Sequence, residues 1–374
     1  MDPRLTKLAD VLVNYSTGVK KGELVRIGGN ALSRPLIAAL YRAVLKAGGH
    51  PVLAVAFDEC AEILLADGTD DQLRFEDPLA QHAIETIDVS ISMWGQDNTK
   101  ALSRFDPSRQ ALVSQTRKKY LATFMRRFAE GKLRWVGTQF PCQAAAQDAE
   151  MSLTAYEDFV YRAGLLHLDD PAAAWREIST RQQRVVDHLN GNREIRFVTP
   201  GGTDLRLGVE GRKWINCDGH ENFPDGEVFT GPIEDATEGV VCYSFPAVHG
   251  GREVQNIRLE FRAGHVVDAS ATKGEEFLIA MLDQDAGARV LGEIAIGTNY
   301  SITNYSRNTL FDEKIGGTFH AALGAAYPET GGRNESGLHW DMVCDLREGG
   351  KVFADGELIS ENGRFVNRSW PQPD

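Results

Sequence analysis

Leu24-Val25-Arg26-Ile27-Gly28-Gly29, a polar start at Ser33, a run to Lys46, Gly48-Gly49, then Pro51-Val52-Leu53-Ala54-Val55-Ala56-Phe57: this order sets the fold class. The first apolar stretch is short enough for a strand and stops at paired glycines. Ser33 is placed to cap a helix, and Gly48-Gly49 to end it. Pro51 to Phe57 is a second apolar strand. Strand, helix, strand at this spacing is a βαβ unit, which requires a parallel pair with a right-handed crossover. Gly28-Gly29-Asn30 lacks the G-x-G-x-x-G spacing of a dinucleotide site, so it reads as a tight turn.

The same alternation continues. Leu5 to Val13 is amphipathic, Ile87 to Met93 is a buried strand, Lys118 to Glu130 is helical and Leu133 to Gly137 returns as a strand. These segments predict an open α/β sheet covered by helices. Pro171 to Asn190 reads as one long helix, ended by Gly191. Beyond it the pattern changes to short strands broken by Gly and Pro: Arg196 to Val198, Asp204 to Val209, Val240 to Phe245, Ile257 to Phe261 and Val266-Val267. Helical pieces are expected at Gly274 to Asp283 and around Phe319 to Ala326. The expectation is an N-terminal α/β domain over 1–190 and a C-terminal α+β domain over 191–374 with a mostly antiparallel sheet.

Composition excludes several classes of function. The 374 residues are 42% hydrophobic and 25% charged, an ordinary globular mix with room for a large core. A net charge of −13 argues against nucleic acid as partner, because phosphates need clustered Lys and Arg. No run approaches the ~18 apolar residues of a membrane span. The N-terminal stretch Met1 to Asp10 lacks an apolar signal core. Five scattered cysteines without a CxxC suit a reduced, cytoplasmic protein.

The residues able to carry chemistry crowd the last third of the chain. In Leu338-His339-Trp340-Asp341-Met342, an extended backbone sends His339 and Asp341 to one face and Trp340 and Met342 to the other. An imidazole and a carboxylate converging in this way are donors for a divalent cation, although a plain cross-strand polar pair has the same pattern. Glu293 interrupts the apolar run Leu291 to Gly297, as either a site residue or a satisfied core glutamate. Glu227 sits among Phe, Val and Thr between two prolines (223–232), where a carboxylate needs a partner or a proton. His320 and Tyr327 are seven apart, which on a helix places both on one face. Glu313, between Asp312 and Lys314, is either a ligand or solvated. Six candidate ligands exceed one tetrahedral site and suit two ions bridged by a carboxylate. His50, His82, His167, His188, His220, His249 and His265 have no convergent partners in sequence. No G-x-S-x-G elbow or H-E-x-x-H motif is present.

Five segments, in order, carry a family resemblance: F-P-D-G-E-V-F-T-G-P (223–232), L-G-E-I-A-I-G-T-N (291–299), N-T-L-F-D-E (308–313), H-A-A-L-G-A-A-Y (320–327) and S-G-L-H-W-D (336–341). With these the chain resembles the aminopeptidase T and aminopeptidase S family of dinuclear metallopeptidases over nearly its whole length. The resemblance implies that Glu227, Glu293, His320, His339 and Asp341 hold metal, that Tyr327 is the active-site tyrosine, and that Glu313 matches a further acidic position. The stretch from Glu313 to His320 is two residues longer than the family pattern. The resemblance further implies two divalent ions (Zn²⁺, Co²⁺, Mn²⁺ or Mg²⁺), short peptides as substrates and a homodimer. In the expected mechanism Glu293 takes a proton from the attacking water and Tyr327 holds the oxyanion.

Some proteins resembling this family are mononuclear non-haem iron dioxygenases that open dihydroxypyridine rings. His320, His339 and Asp341 would suit such an iron. Intact Glu227 and Glu293 favour the peptidase. A binding module, in which the polar cluster only stabilises a sheet, is disfavoured by the mutual repulsion of so many carboxylates.

Overall fold

The structure is a computed structural model and describes residues 2–373. The chain forms two compact units. One runs to Ala172 and takes in Gly219–Pro224; the other comprises Ala173–Asp218 and the chain from Asp225 onward. The helix Pro171–Leu189 starts at this division, and the boundary expected near residue 190 lies at its far end.

The first unit contains a five-stranded parallel sheet. Leu24–Asn30 lies between His50–Ala56 and Val89–Trp94, followed by Arg134–Gln139 and the short Asn222–Phe223. The βαβ reading of the first 57 residues holds, with Arg34–Lys46 as the crossover helix. Two details differ. The first strand continues through Gly28-Gly29 to Asn30, because glycine admits Met93: a Cβ on Gly29 would stand 2.8 Å from its Cγ. Ser33 occupies the cap position without a side-chain cap bond; instead the Asn30 side chain accepts from Ser33 N at 3.4 Å. No described helix is long and apolar enough to cross a membrane.

The second unit contains an eight-stranded and a five-stranded sheet whose strand pairs are antiparallel. The five-stranded sheet runs His339–Asp345, Thr318–Gly324, Leu291–Gly297, Glu227–Thr230, Ile215–Cys217. One apolar core joins the two sheets. From the smaller come Val228, Ile294, Ile296, Phe319, Ala321, Leu323, Trp340 and Met342; from the larger come Phe197, Leu205, Leu207, Val241 and Leu259. Phe319 stacks on Phe197 with ring centroids 4.2 Å apart.

The helix expected around Phe319 to Ala326 is a strand, Thr318–Gly324. It is buried at every position and has a neighbour on each side. Phe-His-Ala-Ala-Leu has good local helix formers, but a central strand pairs its backbone on both edges, and that tertiary gain overrides propensity. Gly324 closes the strand at φ +101, and a Cβ there would meet the Leu338 carbonyl oxygen at 2.1 Å. Truncation of Phe319 to Ala is expected to cost about 3–5 kcal/mol of stability. Urea unfolding followed by tryptophan fluorescence checks this, and an unchanged midpoint would contradict the packing described.

Candidate metal centre

Strand alternation divides the five-stranded sheet into two chemistries. Ile294, Ile296, Phe319, Ala321, Trp340 and Met342 enter the core. Their neighbours Glu293, His320, His339 and Asp341 therefore point to the other face. Register aligns them: Glu293 opposes Ala322, Ala322 opposes Asp341, His320 opposes Ala295, His339 opposes Gly324, and Glu227 opposes Gly297 and Cys217. The residues facing the ligands across the strands are thus mainly Ala and Gly, and these leave the space that ligand side chains and an ion need.

A bulge makes this possible for Glu293. Leu291 opposes Leu323 and Glu293 opposes the next residue, Ala322, with Gly292 the extra residue between them. Without it, strict alternation would place Leu291 and Glu293 on one face. The bulge lets Leu291 enter the core while Glu293 joins the ligands. Gly292 has no space for a side chain, since a Cβ would lie 2.2 Å from the Ala325 carbonyl oxygen.

The expected ligands come together. His320 Nε2 is 3.3 Å from Glu293 Oε1 and 3.8 Å from Asp341 Oδ1. His339 Nε2 is 3.3 Å from Glu293 Oε2 and 3.5 Å from Asp341 Oδ1. Each imidazole donates its Nδ1–H to a backbone carbonyl, His320 to Glu313 at 3.0 Å and His339 to Ala325 at 2.9 Å. This fixes both tautomers and turns both Nε2 atoms to the centre, the usual support of a metal-binding histidine. Glu293 presents one oxygen to each histidine. Potential ligand atoms of Glu293, His339 and Asp341 lie within 4.8 Å of one another, as do those of Glu313, His320 and Asp341.

Glu227 and Glu313 complete the other end. Glu227 is 5% exposed, and its Oε2 has no hydrogen-bond partner while lying 3.7 Å from His320 Nδ1. Glu313 is brought in by the short helix Thr309–Asp312 and lies with His320 and Asp341, its side chain 15% exposed. Tyr327 follows the strand rather than sharing a helix face with His320. Its ring meets His339 edge-on at 5.3 Å and Phe229 at 5.4 Å. At 39% exposed it is the most open member, whereas His320 is fully buried. The centre therefore opens at the His339 end.

Two contributors were not foreseen. Lys314 is fully buried, contacts Glu313, and lies 3.5 Å from Glu227 Oε1 and 3.9 Å from Asp225 Oδ1. Asp225 is 1% exposed and forms with Cys217 and Glu227 a further group of possible donors. The pattern offered one hint for Asp225, its i, i+2 relation to Glu227 in Pro-Asp-Gly-Glu, and none for Lys314. Of the histidines set aside, His249 packs against Trp340 with rings 5.3 Å apart.

The electrostatics follow from this crowding. Burial disfavours imidazolium, but the Glu293 hydrogen bond and the charges of Glu227 and Asp341 prevail and raise His320 to about 10. The same balance, with bonds to Asp341 and Glu293, raises His339 to about 11. Burial pushes Glu227 up to about 8 against the pull of Lys314. Burial also raises Glu313, while Asp341, offset by His339, is held at about 2. Burial and neighbouring carboxylates raise the Tyr327 phenol, which stays a proton donor. Protons thus stand where a cation would stand. The bare Glu227 oxygen, the inward Nε2 atoms and the mixed O/N donor set fit divalent ions.

A buried carboxylate–imidazole centre on the face of an antiparallel sheet marks a metal-dependent enzyme. Over residues 1–365 the chain matches the family model described as Thermophilic metalloprotease (M29), and it belongs to that family. Aminopeptidase 2 of Geobacillus stearothermophilus is 28% identical across 98% of this chain and 98% of its own length. The solved structure of wild-type AmpT from Thermus thermophilus is similar at a TM-score of 0.85 and 26% identity, covering 98% of this chain and 99% of that one. A 2,5-dihydroxypyridine dioxygenase from Pseudomonas putida KT2440 has a TM-score of 0.63 at 15% identity, covering 99% of both chains, which is a likeness of fold alone.

Two outcomes are expected. Ala322→Val would fill the gap between Glu293 and Asp341, so metal retained after dialysis should fall about tenfold or more while the fold persists; unchanged metal content would contradict the geometry. The second concerns pH. His320 and His339 are raised from 6.5, so their stabilisation is complete below that value and is lost as pH rises through about 10 and about 11. Glu227, raised from 4.5 to about 8, also makes the folded state hold protons that the unfolded chain releases. Chelator-treated protein should therefore lose thermal stability from about pH 6 to 10, and a saturating divalent cation should flatten the slope. A rise in stability over that range would contradict the assignment.

Proposed function

We propose that this protein is a metal-dependent aminopeptidase that removes the N-terminal residue from short peptides. The carrying observation is the single sheet face on which Glu227, Glu293, His320, His339 and Asp341 converge, with one Glu227 oxygen left bare. In this reading Glu227, Glu293, His320, His339 and Asp341 would hold two divalent ions. Zn²⁺, Co²⁺, Mn²⁺ and Mg²⁺ all accept such donors. When bound, the ions supply Lewis acidity to the scissile carbonyl and lower the pKa of a water.

The chain's own groups do the rest. Both oxygens of Glu293 face imidazoles, which suits a bridging ligand. The proton-acceptor role first considered for Glu293 then falls to a Glu313 carboxylate oxygen, whose pKa is raised and which is less enclosed. Tyr327, protonated and at the open end, donates its phenolic hydrogen to the tetrahedral oxyanion. The buried floor around His320 excludes bulk water, which strengthens each of these interactions.

The iron-dioxygenase alternative finds support in shared fold only, and the two glutamates at the centre favour hydrolysis. We further propose a homodimer in a reducing cytoplasm. The edge strand His50–Ala56 and the next residue leave Val52, Leu53, Val55 and Phe57 exposed, a surface that a second copy could cover, and all five cysteines are free thiols.

The test strips the protein with chelator, restores single cations, and assays Leu-, Arg- and Phe-anilides beside 2,5-dihydroxypyridine under oxygen. Anilide cleavage that returns with metal, and falls at least about 10²-fold in Glu293→Ala and His339→Ala, is expected. Turnover of the ring compound alone would overturn the proposal.

A further inference from the structure

No described residue hydrogen-bonds the Tyr327 hydroxyl; its ring is bounded edge-on by Phe229 at 5.4 Å and His339 at 5.3 Å. Edge contacts limit the tilt of a ring but do not fix where its oxygen stands. The backbone that carries the ring must do that, and this backbone lies outside the sheet. The strand ends at Gly324, and Pro328–Thr330 is a single 3-10 turn.

A charged pair holds that turn from outside. Thr330, 1% exposed, donates its hydroxyl to the Tyr327 carbonyl at 2.7 Å, and its own carbonyl accepts from Lys213 N at 2.9 Å. One arm of the Arg212 guanidinium donates to the Gly331 carbonyl, and another donates to Glu234 Oε2 at 2.6 Å. Glu234 Oε1 accepts from Arg333 N at 2.7 Å. The pair therefore brackets residues 331–333, directly after the turn that bears Tyr327. The Arg212 side chain is 8% exposed, so these charge-assisted bonds are shielded from water. Burial pushes the Glu234 carboxyl up, but amide donors, Arg333 N among them, and the Arg212 guanidinium outweigh it and keep it ionised below its usual range. Glu234 also stands on a firm base. It lies just beyond the strand Glu227–Thr230, where Ile233 N donates to the Gly208 carbonyl at 2.8 Å, and a Cβ on Gly264 would lie 1.8 Å from the Glu234 carbonyl oxygen.

We propose that Arg212 and Glu234 are positioning residues for Tyr327: their pair clamps the loop 327–333 so that the phenol stands where the tetrahedral oxyanion forms. This rests on the aminopeptidase reading above and on the role it gives Tyr327. Only a forked guanidinium can meet the Gly331 carbonyl and the Glu234 carboxylate together, and a donor displaced by about 1 Å loses much of its effect.

The experiment is a double-mutant cycle on the metal-loaded full chain, with Leu-anilide as substrate. Tyr327→Phe should lower kcat about 10²-fold. Glu234→Ala should lower kcat about tenfold or more and change KM little. In the Tyr327→Phe background Glu234→Ala should cost little further, because no phenol remains to be placed. A purely structural role would give the same loss in both backgrounds. Two readouts are independent of turnover. Bound metal per chain, by plasma mass spectrometry, should match wild type in Glu234→Ala, and hydrogen exchange should quicken at residues 330–333 but not at 318–324. Circular dichroism verifies each fold. Should Glu234→Ala not fold, the same cycle with Glu234→Gln, which keeps an acceptor for Arg333 N but loses the charge facing Arg212, decides the question. An unchanged kcat in the folded Glu234 variant, an equal loss in both backgrounds, or a fall in bound metal that accounts for the loss would overturn the inference and leave the role of Tyr327 standing. Wild-type kcat in Tyr327→Phe would overturn that role, and this inference with it.

Discussion

The whole centre depends on one constraint, the two-residue period of the strand Thr318–Gly324 at the interior of a five-stranded sheet. Phe319, Ala321 and Leu323 must face the core that joins the two sheets. His320 and Ala322 are thereby committed to the opposite face. Because neighbouring strands keep register with this one, Glu293, His339 and Asp341 arrive beside His320 without any loop having to place them. Apolar packing on one side thus positions polar groups on the other, and the rigidity of the site is the rigidity of the core.

The cost of that arrangement is concentrated charge away from water. Several carboxylates in one enclosed place repel one another, and each is penalised by desolvation. The fold meets this with two devices. The imidazoles are tethered through Nδ1 to carbonyl oxygens and offer Nε2 inward. Lys314 lies under Glu227 and Glu313 as a fixed counter-charge. What remains is a deficit of positive charge, which protons offset in the metal-free protein and which suits the divalent metal of a metalloprotease.

The bulge at Gly292 shows how little backbone change a site needs. One extra residue reverses the side on which Glu293 lies and keeps Leu291 in the core. A glycine is required because carbonyl oxygens of the adjoining segment crowd its Cα. The structure spends a local irregularity beside the reacting groups, where it re-aims a side chain, and keeps regular pairing elsewhere.

Much was legible from residues alone. The βαβ order of the first 57 residues, the change to short strands after the helix ending at Leu189, and the His339/Asp341 alternation follow from hydrophobic periodicity, which is a local property. The five ordered segments were enough for family membership because they combine residue type with spacing. The segment bearing His320 was misread as helix, since Phe-His-Ala-Ala-Leu satisfies a helical and a central-strand pattern equally and only its neighbours choose between them. Lys314 left no trace, and Asp225 only its spacing from Glu227, for a similar reason. A charged residue in a short polar stretch looks solvated until distant strands close over it. Type and period of the elements are thus written locally, whereas burial, charge pairing and the meeting of groups up to about a hundred residues apart exist only once the sheets have packed.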